Sequence, residues 1–130
     1  MILTVRTDKP EAEVGVYAPD GTQLSYKTWV AHRELSATLL AVIRDELAGQ
    51  HAMFSDLSGI VAFRGPGSFT GLRIGLSVAN ALAYSNACAI VGGEGEAWQQ
   101  AGIEALRAGK NDHLVLPVYG QEAHITPPRK

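Results

Sequence analysis

The sequence offers little with which to bind by charge or react through sulfur. Its 11 basic and 13 acidic residues are interspersed and leave a formal net charge of −2 over 130 residues. That balance gives no electrostatic footprint for nucleic acid or for an anionic membrane surface. Any RNA connected with this protein is therefore expected to be gripped by another subunit. The single cysteine, Cys88, excludes an internal disulfide and a cysteine zinc site. It lies in the apolar stretch NACAIVGG with nothing basic beside it to stabilise a thiolate, so a packed thiol is expected. No apolar run reaches the length of a membrane span, and the start MILTVRTD lacks the basic residues and long apolar core of a signal peptide. The expected location is cytoplasmic, with no membrane partner.

Catalytic patterns are equally sparse. His32, His51, His113 and His124 are scattered, none at helical metal spacing from another histidine or a carboxylate pair, so no metal is expected. Ser68 does not stand in GxSxG, the pattern that exposes a nucleophilic serine. Neither GxxxxGK[ST] nor GxGxxG occurs in the glycine-rich part of the chain, which disfavours the usual nucleotide loops. Asp8, Glu11 and Glu13 cluster near the first hairpin and read as a solvated turn rather than an acid and base pair. No catalytic residue and no cofactor are expected.

What is present is an ordinary globular composition, 46% hydrophobic and 18% charged, enough for one core. ILTVR, Ile2 to Arg6, predicts a strand, Ala12 to Ala18 a second, and Thr22 to Val30 a third, with Asp20-Gly21 between the last two as hairpin chemistry. From Glu34 to Ala48 the apolar period becomes helical through Leu35, Leu39, Ile43 and Leu47, with Leu40 beside them and small Ala37, Ala41 and Ala48 opposite. Leu57 to Phe63 predicts a buried strand, Phe69 to Ser85 a long helix, and Cys88 to Val91 a strand closed by Gly92-Gly93. Glu94 to Ala108 predicts a third helix with Ala97, Ala101, Ala105 and Ala108 on one side and Trp98 among them. HLVLPVYG offers a last short strand before the tail ITPPRK. Three antiparallel strands followed by alternating helices and strands point to an α/β fold with a mixed sheet.

The segment GPGSFTGLRIG, Gly65 to Gly75, divides in two. Its first half turns a strand into a helix, with Ser68 or Thr70 as the cap, and the exposed N–H groups of such a turn can seat an anion. The candidate anion loop is Arg64, Gly65, Gly67, Ser68 and Thr70; the plain turn remains the alternative. Its second half continues Gly71 and Gly75 into Ala79 and Ala83 at spacings of four, a small-residue stripe that lets another helix approach closely. That neighbour is either the chain's own helix at Glu34 to Ala48, through Ala37 and Ala41, or a helix of a partner.

FRGPGSFTGLRIGLSVANALAY, Phe63 to Tyr84, closely resembles the signature of the bacterial TsaB (YeaZ) family. ILTVRT stands where that family has an ILxIDT-like strand, HRELSATLLAVI where it has an HS..LLP-like helix, and VGGEGEAWQQAG where it has VGVSSLEALA-like sequence. The resemblance implies a single RNase H-like lobe of the actin-like ATPase superfamily, a five-stranded mixed sheet with the first three strands antiparallel, flanked by helices. It implies a non-catalytic scaffold that binds and stabilises TsaD in threonylcarbamoylation of the tRNA adenosine adjacent to the anticodon. TsaE joins in a larger assembly, and tRNA is contacted only indirectly. The family's interface with TsaD, and with itself in homodimers, is a helical bundle. Carried over, it comprises Leu35, Ala37, Leu39, Ala41, Gly71, Leu72, Gly75, Leu76, Ala79 and Ala83.

Three departures qualify the resemblance. Arg6 stands where the family has Asp, and Gly93-Glu94-Gly95 replaces serines before the third helix. The resemblance extends over about residues 1–108, whereas the family carries a second lobe of similar size. The expected organisation is a TsaB-like lobe at 1–112 and a remnant strand and tail at 113–130. Without the second lobe, no interlobe nucleotide cleft is expected. The alternative reading is a stand-alone small anion- or nucleotide-binding protein, or a degenerate homodimeric paralogue of that superfamily.

Overall fold

The computed structural model describes residues 1–118, with the side chains of His32 and Phe69 outside that description. Strands β1 (Ile2–Arg6), β2 (Glu11–Tyr17) and β3 (Gln23–Val30) precede helix α1 (Leu35–Ala48), which is entered through a 3₁₀ turn at His32–Glu34. Strand β4 (Gly59–Phe63), helix α2 (Phe69–Asn86), strand β5 (Ala89–Gly93) and helix α3 (Trp98–Arg107) follow. They form one five-stranded sheet in the order β3-β2-β1-β4-β5. The first three strands pair antiparallel, while β1 with β4 and β4 with β5 pair parallel. This is the mixed sheet expected from the sequence.

The hairpin between β2 and β3 turns where Asp20-Gly21 requires it. Gly21 holds φ +94, and the Asp20 carboxylate accepts the Thr22 N–H at 2.9 Å, the side-chain version of a backbone turn. The period of four in α1 sets its buried stripe, since Leu35, Leu39, Ile43 and Leu47 all face the sheet. Leu40 lies off that stripe and is 47% exposed, with Ala37 and Ala48 also exposed. On the same side α2 buries Leu76, Ala79, Leu82 and Ala83 against Leu3, Val5, Ile60 and Ile90. Alternate residues Ile2, Val61, Phe63 and Val91 point to the opposite side, where α3 adds Trp98 and Ile103. Central β4 is therefore buried throughout, whereas edge strand β3 is largely exposed.

Four sequence expectations need correction. The third helix starts at Trp98, not Glu94; its cap position, Ala97, makes no side-chain cap hydrogen bond, and Gly95 at φ +77 belongs to the preceding turn. Its buried face is Trp98, Gly102 and Ile103 rather than the alanine row, of which Ala97, Ala101 and Ala108 are exposed. The larger apolar side chains bury more area than methyls and so orient the helix. Gly92 and Gly93 do not close the last strand but lie within it, pairing with Ala62 and Phe63. Space there is tight: a Cβ on Gly92 would lie 2.7 Å from Arg64 Cδ and would push that side chain aside, and one on Gly93 would lie 3.1 Å from Trp98 Cβ. Residues 113–118 form no strand, and the rest of HLVLPVYG together with the tail lies outside the described residues. Pro117 has no N–H to give a ladder.

Candidate functional site

The glycine-rich turn leaves β4 at Arg64 and enters α2 over Ser68, its N-terminal cap position. Gly65 adopts φ +111, and a Cβ there would meet the Val118 carbonyl oxygen at 2.3 Å, so only glycine fits. Ser68 makes no side-chain cap hydrogen bond. Its N–H instead donates to the Asp8 carbonyl at 3.3 Å, so the expected hydroxyl cap gives way to a main-chain contact from the turn after β1.

That turn is what the small-residue stripe accommodates. Thr7 Oγ1 donates to the Gly71 carbonyl at 2.7 Å. A Cβ on Gly71 would lie 2.1 Å from the Thr7 carbonyl oxygen, and one on Gly75 would lie 2.0 Å from Thr7 Oγ1. The nearest neighbour for which the two glycines make room is therefore Thr7, in the turn after β1. The lower half of the stripe, Ala79 and Ala83, is buried in the core between α2 and the sheet. The expected interface residues thus divide by depth. Leu35, Leu39, Leu72, Gly75, Leu76, Ala79 and Ala83 are buried, Ala41 and Gly71 are half-buried, and Ala37 is exposed.

Of the candidate anion loop, Ser68 and Thr70 line one small cavity with Thr7, Lys9 and Gly71, and Arg64 is not among its lining residues. Arg64 turns toward the segment after α3, its Nε donating to the Leu116 carbonyl at 3.1 Å and lying 3.8 Å from the Glu94 carboxylate. Gly67 lies instead against Asp8, whose Oδ2 would be 3.0 Å from a Cβ at that position. Thr70 is exposed on the first turn of α2.

Asp8 is the neighbour that the sequence reading missed. Rather than a solvated turn residue it is buried, paired with Arg6 through Nε at 2.7 Å and through the second guanidinium nitrogen at 3.2 Å. This bidentate pairing raises the Arg6 pKa, against an opposing effect of burial. The guanidinium carbon also stands 3.9 Å over the Phe63 ring, and Phe63 meets Trp98 edge-on with centroids 5.6 Å apart. The signal was the Arg6-x-Asp8 spacing: the two residues sit close together where β1 runs into its turn. Nearby, the Tyr26 hydroxyl donates to Glu13 Oε1, and burial followed by this hydrogen bond pushes the Tyr26 phenol far above its usual range. Arginine neutralises the carboxylate here, and a guanidinium cannot itself ligate a metal ion.

The outer surface of α1 and α2 is a second feature. Ser36, Thr70, Arg73, Ile74, Ser77 and Val78 line a shallow groove of ≈ 430 Å³ between the two helices. Tyr84, 90% exposed, stands near the end of α2, and Leu40 stands one turn beyond Ser36. Elsewhere burial pushes the Cys88 thiol above its usual range, keeping it protonated and poorly nucleophilic. Among the described residues no group of three His, Cys, Asp or Glu side chains could hold a metal ion, and no helix is long and apolar enough to cross a membrane.

Comparison with known proteins places this lobe. The family model described as "TsaD: tRNA N6-adenosine threonylcarbamoyltransferase" matches residues 29–92. The tRNA threonylcarbamoyladenosine biosynthesis protein TsaB of Escherichia coli (strain K12) is 35% identical over 91 residues, 70% of this chain and 38% of that protein. The tRNA N6-adenosine threonylcarbamoyltransferase of Syntrophus aciditrophicus (strain SB) is 40% identical over 63 residues, 48% of this chain and 19% of that protein. Among solved structures, YeaZ from Pseudomonas aeruginosa aligns with a TM-score of 0.66 at 28% identity, over 72% of this chain and 43% of that one. A crystal structure described as an uncharacterized protein with similarity to peptidase YEAZ, also from Pseudomonas aeruginosa, aligns with the same score over 42% of its length. The chain spans less than half the length of each of these relatives.

Proposed function

The chain belongs to the TsaB/YeaZ family, matching one lobe of its longer members, and from that membership we propose that it is a non-catalytic scaffold subunit. It binds and stabilises TsaD while TsaD threonylcarbamoylates the tRNA adenosine adjacent to the anticodon, with TsaE joining a larger assembly. The observation that carries this reading is the breadth of the TsaB match. It extends over 70% of the chain, whereas the match to the transferase of Syntrophus aciditrophicus stops at 48%. The scaffold therefore takes precedence over the enzyme that shares the lobe.

The interface is proposed on α1 and α2. A face that pairs with its own copy can also pair with a related lobe, because equivalent patches then meet across a pseudo-twofold axis. Exposed Ala37, Leu40, Ser77 and Tyr84 would make the contact, with Tyr84 as its aromatic anchor. The buried members of the expected set, such as Leu39, Leu76 and Ala79, act from below by fixing where those helices lie. The Arg6–Asp8 pair favours this reading over nucleotide chemistry, since its carboxylate is already engaged by a guanidinium.

The test is size-exclusion chromatography of the chain mixed with TsaD from the same organism. Co-elution as one species is the expected result, and separate elution of the two proteins would contradict the proposal. Restoration of tRNA threonylcarbamoylation in a TsaB-depleted cell would then show that the lobe acts in the modification itself.

A further inference from the structure

The turn that joins β1 to β2 lies between the starts of α1 and α2 and is bonded to the approach of each. The Ala31 N–H, just before the 3₁₀ turn that opens α1, donates to the Pro10 carbonyl at 2.9 Å. On the other side the Ser68 N–H donates to the Asp8 carbonyl at 3.3 Å, and Thr7 Oγ1 donates to the Gly71 carbonyl at 2.7 Å. Thr7 and Asp8 are 2% and 9% exposed, whereas a connecting turn ordinarily runs over the surface. A cavity of ≈ 200 Å³ is lined from all three elements, by Thr7 and Pro10 of the turn, Leu35 of α1, and Thr70 and Ile74 of α2. Thr70 and Ile74 also line the groove between α1 and α2, so the turn stands at one end of that groove.

The Arg6–Asp8 pair holds this turn in place. A buried carboxylate without a partner is costly, and here the Arg6 guanidinium supplies two bonds while resting on the ring of Phe63, the last residue of β4. Asp8 is thereby held against Gly67, where a Cβ would lie 2.5 Å from the Asp8 Cβ, with its carbonyl aimed at the Ser68 N–H. Without Arg6 the carboxylate must turn out to water, and the main chain that carries it must shift. Taking the outer face of α1 and α2 as the TsaD contact proposed above, we propose that Arg6 is a positioning residue of that face. By locking the turn Thr7–Pro10 it fixes how far apart the first turns of α1 and α2 stand. It thereby sets the width of the groove beside which exposed Ser36, Thr70 and Arg73 meet the partner.

The experiment follows amide hydrogen exchange, and calorimetric affinity for TsaD from the same organism, in the full chain and its Arg6→Ala, Arg6→Lys and Ile103→Val variants. Leu72 N–H makes the bond to the Ser68 carbonyl at 3.0 Å that opens α2, and Ala31 N–H holds the approach to α1. In Arg6→Ala both amides should exchange about tenfold faster relative to Ile43 and Ala79, farther along the same two helices. Affinity for TsaD should fall about tenfold. Arg6→Lys keeps the charge without the fork and should fall between; it carries the comparison if the alanine variant does not fold. Ile103→Val loosens the core on the opposite side of the sheet and should leave affinity and those relative rates at the parent's values, which separates positioning from a general loss of stability. Acceleration spread equally along both helices, or confined to one of the two amides, would overturn the lock. Locally faster exchange with undiminished affinity would overturn the positioning role. A parent that does not bind TsaD would contradict the proposed function and take the positioning role with it, while the exchange rates still decide whether Arg6 locks the turn.

Discussion

Gly75 and Gly71 have no room for a methyl group, but for different reasons, and the difference can be measured. At Gly75 the obstacle is the Thr7 side chain, and at Gly71 it is the Thr7 carbonyl oxygen. Gly75→Ala is expected to cost about 1–3 kcal/mol by overpacking, and that cost should shrink in a Thr7→Ala background. The cost of Gly71→Ala should not shrink there, because the main-chain oxygen remains; urea midpoints of the two cycles report it. Tyr26 gives a pH prediction. Its folded pKa is raised, chiefly by burial and then by the hydrogen bond to Glu13, above the 10.0 of the free phenol. The folded state therefore favours the protonated form, a contribution intact below that pH and lost as the pH rises above it. Tyr26→Phe should flatten the fall in stability between about pH 9 and pH 11, followed by denaturant titration at each pH. At this scale the sequence was least legible. The spacing of Gly71, Gly75, Ala79 and Ala83 correctly announced a close approach, yet spacing along one helix does not identify what approaches. Thr7 lies 64 residues from the carbonyl it bonds. The burial of Asp8 depends likewise on a pairing with Arg6 and a contact with Gly67 that no local pattern displays.

Elements were legible wherever one strong period set the buried face. The four-residue recurrence of Leu35, Leu39, Ile43 and Leu47 survives intact in α1, and the apolar run of β4 is buried along its whole length. The third helix was misread because four alanines made the more regular row while Trp98 and Ile103 carried the area. Gly92 and Gly93 were misread because glycine commonly ends strands, whereas here two glycines make room for Arg64 and Trp98 inside one. The end of α2 holds a non-glycine residue in a conformation that favours glycine. Ala87 closes α2 in the left-handed region at φ 52, with Cys88 N–H returning to the Ala83 carbonyl at 3.0 Å. Glycine is the natural occupant of such a position, so Ala87→Gly should stabilise the protein by about 1 kcal/mol. A higher thermal midpoint would show this, and a lower one would mean that the alanine methyl makes a contact worth more than the backbone strain.

For the whole molecule, the order of elements and the mixed sheet followed from the sequence because each strand and helix was locally consistent with it. The partner face follows less directly, because most of the expected interface residues are interior and support the surface instead of forming it. The account rests on exposed residues of two helices, above all Tyr84 and Leu40. The most direct measurement is the affinity of the chain for TsaD by calorimetry, before and after the double substitution Leu40→Arg and Tyr84→Arg. Both positions are exposed, at 47% and 90%, so the variant should keep the parent's thermal midpoint. The account predicts at least about a hundredfold loss of affinity, the weight of an aromatic anchor and its neighbour at a desolvated contact. Undiminished binding by the folded double variant would contradict it.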